Sequence, residues 1–252
     1  MNTNLIELND LYDYDYKIYQ NSDYFKFSLD SVLLAEFVDL KSGQNEILDL
    51  CSGNAPIPMI LSKKFGDKIH ITGVEIQDSI YDLGIKSIEY NKIHNIEFIR
   101  EDVNNLPIVL KNKRYNIITC NPPYFKVNET NYINDNEIKA IARHEIKVTI
   151  DEMAKVSSKL LENQGYLYLV HRSLRLVDVI KSLGNYNFGI KRIVPIYSKK
   201  NANANLFLIE AIYNGKDYVT IDSPVYLDEL TTYKDLFRKW LNEINIWTWK
   251  SW

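Results

Sequence analysis

Between residues 29 and 122 the hydrophobic period of the chain switches repeatedly, and each switch predicts an element. LDSVLLAEFVDL (29–40) has apolar residues at 29, 32, 33, 37 and 40, the spacing of a helix face, with Asp30 or Ser31 suited to cap its start. NEILDL is a short strand that ends at Asp49 or Leu50, and CSGN follows it. APIPMILSKKF is a helix with Pro56 in its first turn, where a missing N–H is tolerated. KIHITGVEI (68–76) predicts a second strand ending at Glu75, residues 78–92 a helix, NIEFIREDV (95–103) a third strand ending in Glu101 and Asp102, and YNIITC (115–120) a fourth. A polar stretch then reads as a long loop with a short helical piece. Residues 150–162 are a helix, 165–171 a fifth strand and 173–184 another helix. FGIKRIVPIY (188–197) and NLFLIEAIY (205–213) are two closing β-rich runs joined by a polar turn.

This alternation predicts an α/β fold, a parallel sheet with helices on both faces and one antiparallel member near its end. One domain is expected over 1–228, with a helical lead-in at its N-terminus. A tail over 229–252 holds Trp240, Trp247, Trp249 and Trp252 and has no assigned role. Of 252 residues 46% are hydrophobic, enough for a sizeable core and too many for wholesale disorder. A net charge of −3 gives no general attraction to nucleic acid and leaves room only for a local basic face. The absence of an 18-residue apolar run and of a signal-peptide pattern predicts a cytoplasmic protein without a membrane partner. The histidines, His70, His94, His144 and His171, and the two cysteines lack metal-ligand spacing, so no metal is expected. A monomer is expected.

In an open parallel sheet ligands bind outside the carboxyl ends of the strands, and that is where the unusual residues gather. Glu75, with Ile76 beside it, stands where a Rossmann-type site holds ribose hydroxyls; the plain alternative is a solvated strand-end acid. The loop after the first strand has one glycine, Gly53, where a dinucleotide site needs three. That favours a nucleoside without phosphates, such as S-adenosylmethionine. Asp49 would meet its amino group directly or through water, with the loop backbone along its methionine part. Asp102 would accept from the adenine amino group, with Val103 beside the ring.

TCNPPYF (119–125) breaks the fourth strand with two prolines that cannot donate to a ladder, so it is a stiff turn. The Asn121 side-chain oxygen and the Pro122 carbonyl can accept both hydrogens of an exocyclic amino group and favour its pyramidal, reactive form. Tyr124 can stack on a flipped base. Placement and electrostatics then suffice, with no triad or metal. The plain alternative is an Asn-Pro turn with an incidental tyrosine.

ILDLCSGN, GVEIQ, REDV and CNPPYF resemble the ordered motifs of class I S-adenosylmethionine-dependent methyltransferases of the NPPY type. With FKFSLDSVLLAEFV, ARHE (142–145), LYLVHR (167–172) and NLFLIEA (205–211), the chain from about 15 to about 228 resembles the bacterial valine tRNA adenine-37 N6-methyltransferase family. The resemblance implies a seven-stranded Rossmann-like sheet of order 3-2-1-4-5-7-6, S-adenosylmethionine as methyl donor and tRNA as partner. It carries Asn121, Pro122 and Tyr124 over as the target-base site, and Asp49, Gly53, Asn54, Glu75, Asp102 and Val103 as the cofactor site. Phe27, Ser28 and Asp30 match a segment that closes over the cofactor. Cys51 and Ser52 stand where Gly and Thr are commoner. In that topology Cys51 and Cys120 end neighbouring strands and should lie close, as small residues without a disulfide.

Arg143 and His144, near the turn, are the first candidates for RNA contact, with Phe125 next to Tyr124. His171-Arg172 with Arg175, Lys191-Arg192 with Lys199-Lys200, and Lys63-Lys64 are further basic groups. Other readings are a protein glutamine N-methyltransferase, a DNA adenine methyltransferase and a non-catalytic RNA-binding factor.

Overall fold

The computed structural model describes residues 6–21, 29–122, 148–216 and 218–229. Its first element is one the hydropathy pattern does not announce. β1 (Ile6–Asp10) and β2 (Lys17–Asn21) form an antiparallel hairpin separate from the main sheet. Then come α1 (Leu29–Phe37), β3 (Glu46–Leu50), α2 (Pro56–Phe65), β4 (His70–Glu75), α3 (Asp78–Tyr90), β5 (Ile96–Arg100), the one-turn α4 (Leu106–Val109) and β6 (Tyr115–Cys120). After the undescribed residues follow α5 (Ile150–Leu160), β7 (Leu161–Arg172), α6 (Leu176–Asn185), β8 (Phe188–Tyr197), β9 (Ala204–Tyr213), β10 (Thr220–Ile221) and β11 (Val225–Tyr226).

The sheet order is β10-β8-β9-β7-β6-β3-β4-β5, with β11 also on β8. Its seven central strands are the expected 3-2-1-4-5-7-6 order read from the other edge. Strands β3 to β7 pair in parallel and β9 runs antiparallel to both β7 and β8. The two-residue strands β10 and β11 cover the β8 edge; two residues are too few to show a periodicity.

Each strand alternates between two cores, as pleated geometry requires. Ile47, Ile71, Ile117, Tyr168 and Leu208 pack on the α1–α2–α3 side. Leu48, Leu50, Val74, Ile118, Leu167 and Ile209 pack on the α4–α5–α6 side. Asp49, Thr119 and Asn121 share the parity of Ile47 and Ile117, so they belong to the α1 face at the carboxyl end of the sheet.

Helix α1 starts at Leu29, so Asp30 and Ser31 lie within its first turn and do not cap it. Its far end is held by Lys64 of α2. The Lys64 ammonium donates to the carbonyls of Ala35 (3.2 Å), Glu36 (2.6 Å) and Val38 (2.9 Å) and pairs with the Glu36 carboxylate at 3.6 Å. These are the carbonyls that a helix end leaves without partners. Burial lowers the Lys64 pKa, and Glu36 and Asp39 counter that effect. The Tyr14 hydroxyl adds a hydrogen bond to Glu36.

Phe98 of β5 lies between two glycines. A Cβ on Gly73 would lie 2.6 Å from its ring and 3.1 Å from Ser52 Oγ, and one on Gly84 would lie 2.5 Å from the same ring. The Tyr81 ring stacks on Phe98 at 5.3 Å and closes the remaining direction. Gly73→Ala therefore has no relaxed solution and should cost about 1–3 kcal/mol, the range for overpacking. Urea unfolding should show the loss, and Phe98→Leu in the same background should recover part of it.

Candidate active site

Loop 51–55 begins where β3 stops, and its path is set by left-handed residues at Cys51 (φ 57°), Gly53 (φ 58°) and Ala55 (φ 71°). Cys51 thus takes a conformation that glycine adopts without strain, which explains why glycine is commoner there. The Ser52 hydroxyl donates to the Asp49 carbonyl (2.9 Å) and accepts from the Val74 amide (3.0 Å), tying the loop to β4. Among the described residues no atom lies within 4 Å of where a Gly53 Cβ would stand, so none of them fills that side of the loop.

Asp49 is fully buried. Thr119, its register partner on β6, donates to Asp49 Oδ1 at 2.6 Å. Oδ2 has no hydrogen-bond partner among the described residues. Burial pushes the Asp49 carboxyl up to about 7; the Thr119 and Ser52 hydroxyls pull it back only partly, and the Glu75 charge adds to the rise. An acid in this state calls for a cation.

Glu75, also buried, accepts from the Gly53 amide through Oε2 (2.9 Å) and from the Gln77 amide through Oε1 (2.9 Å). Oε1 also accepts from Gln77 Nε2 (3.3 Å), so it is Oε2 that keeps a further lone pair for a donor. Burial raises its pKa, against those backbone hydrogen bonds. Ile76 beside it is 44% exposed, a rare apolar surface at a strand end. At the end of β5, Asp102 accepts from the Asn104 amide at 2.8 Å and Val103 is buried. The Glu101 amide donates to the Glu75 carbonyl (3.2 Å), which locks the two strand ends together. Asp49, Glu75 and Asp102 thus end three adjacent parallel strands. The orphaned Asp49 Oδ2, the open side of Gly53 and the acceptors of Glu75 fit the amino group, the methionine part and the ribose of S-adenosylmethionine.

At the end of β6 the Asn121 Nδ2 donates to the Ser31 hydroxyl of α1 at 3.1 Å. Asn121 and Pro122 are described, and Tyr124, Phe125, Arg143, His144, Phe27 and Ser28 lie outside the described residues.

The methyltransferase-domain family matches residues 41–193, which holds every strand end named above. The chain belongs to this family. This methyltransferase is 29% identical over 161 residues to the release factor glutamine methyltransferase of Fusobacterium nucleatum subsp. nucleatum, covering 60% of this chain and 44% of that one. It spans less than half of that relative's length. It is 21% identical to the tRNA1(Val) (adenine(37)-N6)-methyltransferase of Flavobacterium psychrophilum, over 84% of this chain and 97% of that one. Among solved structures, a predicted O-methyltransferase from Agrobacterium tumefaciens superposes with a TM-score of 0.65 at 19% identity, covering 83% of this chain and 95% of that one. That likeness shows the class I fold.

The structure of the methyltransferase alters several sequence expectations. The Asn54 amide donates to the Tyr19 carbonyl at 2.8 Å, fastening the hairpin to the cofactor loop. Asp30 is half-buried in the first turn of α1. Lys64 is a half-buried helix clamp whose ammonium is engaged by α1 carbonyls and Glu36. Arg192 is ion-paired with Glu210 (3.2 Å) and Asp222 (2.9 Å), its guanidinium 4.9 Å from the Phe37 ring centre. His171 is buried, and burial with the nearby Arg175 lowers its pKa to about 4, so it is neutral at pH 7. Arg175 pairs with Asp178 at 2.7 Å. Exposed Arg172 and Lys199 stand at the Asn121 end of the sheet. Cys120 is buried beside Cys51, which pushes its thiol well above the usual value, and both thiols are free.

Thr119 and Ser31 were missed as site residues. Thr119 had a signal: it is a polar residue inside an apolar strand, two positions before Asn121. Ser31 had none, because its partner lies 90 positions away.

Proposed function

We propose that this methyltransferase transfers a methyl group from S-adenosylmethionine to N6 of adenine 37 in a tRNA. The observation that carries the reading is the placement of Asn121-Pro122 at the carboxyl end of β6, two residues beyond the threonine that holds Asp49. Relatives named for the same reaction, matched over most of both chains, support it. S-adenosylmethionine, when bound, supplies an electrophilic methyl on a sulfonium centre. Asp49 binds its amino group through Oδ2, and Glu75 accepts from its ribose hydroxyls. Ile76 and Val103 flank its adenine, and Asp102 accepts from the amino group of that ring. Asn121 Oδ1 and the Pro122 carbonyl accept the two N6 hydrogens of the target, so its lone pair is freed from the ring and aimed at the methyl. Tyr124 stacks on the flipped base. RNA contact falls to Arg143, His144 and Phe125, with Arg172 and Lys199 at the Asn121 end of the sheet as further basic groups.

A second reading, methylation of a protein glutamine amide, has the support of the Fusobacterium relative, which shares the core at higher identity over a shorter span. One experiment separates them. Unmodified tRNA and a release factor are each incubated with enzyme and S-adenosylmethionine, then digested and analysed by mass spectrometry. The expected result is N6-methyladenosine at position 37 and an unchanged release factor. A methylated glutamine with unmodified tRNA would transfer the assignment to the second reading.

A further inference from the structure

An asparagine amide has two unlike ends, and the proposed role of Asn121 works in only one orientation. Its oxygen must face the amino group to be methylated; a reversed amide would aim two hydrogens at a group that is itself a donor. In the structure the Nδ2 end is turned toward α1, where it donates to Ser31 Oγ at 3.1 Å. Ser31 is 5% exposed and Asn121 half-buried, so the hydroxyl end of this contact is shielded from water. Its helix cannot drift, because Lys64 and Tyr14 fasten the opposite end. We propose that Ser31 is a positioning residue for the reaction: its hydroxyl accepts the Asn121 amide nitrogen and so keeps the amide oxygen facing the target amine. The inference rests on the functional reading above, because it concerns a residue that acts through Asn121.

A merely structural Ser31 would change stability or binding; an orienting one changes turnover. The test compares Ser31→Ala, Ser31→Thr, Asn121→Ala and the Ser31→Ala/Asn121→Ala double variant, with methyl transfer measured under saturating and limiting RNA. Ser31→Ala should lower kcat about ten-fold, the size of one lost buried hydrogen bond, with KM for RNA and Kd for S-adenosylmethionine within two-fold of wild type. Ser31→Thr keeps the hydroxyl and should restore most of the rate. The double variant should be no slower than Asn121→Ala alone. Should alanine at 31 unfold the helix, seen as loss of cofactor binding, Ser31→Cys keeps the size with a weak acceptor and should show the same fall in kcat. An active Ser31→Ala or Ser31→Cys beside an inactive Asn121→Ala overturns the role of Ser31 alone, and so does a purely additive double variant. An active Asn121→Ala overturns the reading of the β6 end and this inference with it.

Discussion

Asn121→Ala should reduce kcat for methyl transfer by about 100- to 1,000-fold, the usual loss when one pre-organised hydrogen-bonding group is removed from a reacting centre. Affinity for S-adenosylmethionine should stay within about three-fold, because Asp49, Glu75 and Asp102 end other strands and keep their own hydrogen bonds. The physical reason for the size of the effect is positional. An exocyclic amine is a poor nucleophile while its lone pair is delocalised, and two fixed acceptors are the means the chain has to change that. Single-turnover kinetics with preformed enzyme–cofactor complex isolates the step. A variant that keeps more than a tenth of the wild-type rate would remove Asn121 from the reacting centre.

Asp49→Asn should move stability and binding in opposite directions. The Asp49 carboxyl has a folded-state pKa of about 7, above its ordinary 3.8. A group raised in this sense stabilises the fold fully below its unfolded pKa and loses that contribution as pH climbs to the folded value. Without cofactor, the wild type therefore carries a growing penalty between pH 4 and 7, on the order of a few kcal/mol at its plateau. Asparagine carries none and can still accept from Thr119. The variant should melt several degrees higher at pH 7.5, and its advantage should vanish near pH 4. Its affinity for S-adenosylmethionine should fall about 100-fold, because a buried charge pair has lost one partner. Wild-type affinity should also weaken as pH drops from 7 towards 5, by up to ten-fold per unit, while that of the variant stays flat. Calorimetric titration at three pH values with melting curves alongside checks both arms, and equal pH dependence in the two proteins would refute the assignment.

Much of this site was visible in the sequence because parallel sheets impose order on their ends. A run such as NEILDL must stop where its strand stops, so Asp49, Glu75 and Asp102 had to converge once the alternation was read. The family pattern also gave the correct strand order. What stayed hidden depends on contacts between distant segments. Nothing in the apolar spacing of α1 shows that Ser31 meets Asn121, and nothing in SKKF shows that one lysine clamps a neighbouring helix while the other is exposed. The β1–β2 hairpin escaped because six of its ten strand residues are polar or charged; β2 lies on α3, where Ser87 and Asn91 receive its backbone. Nothing in the motif that holds Asn54 shows that its amide nitrogen meets the Tyr19 carbonyl.

Strand β6 behaves as a ruler. Thr119, which holds Asp49, and Asn121, one residue past the end of the strand, are two residues apart, about 6.6 Å at ordinary strand rise. β3 and β7 pair with the strand on both sides as far as Cys120, so the sheet fixes the Thr119 end of that interval. The donor half of the site can therefore stay unchanged while the chain after Pro122 varies, so one chassis can acquire new acceptors by rebuilding a loop. An amide nitrogen and a base nitrogen, the acceptors named for two of the relatives above, would then be two settings of the same gauge.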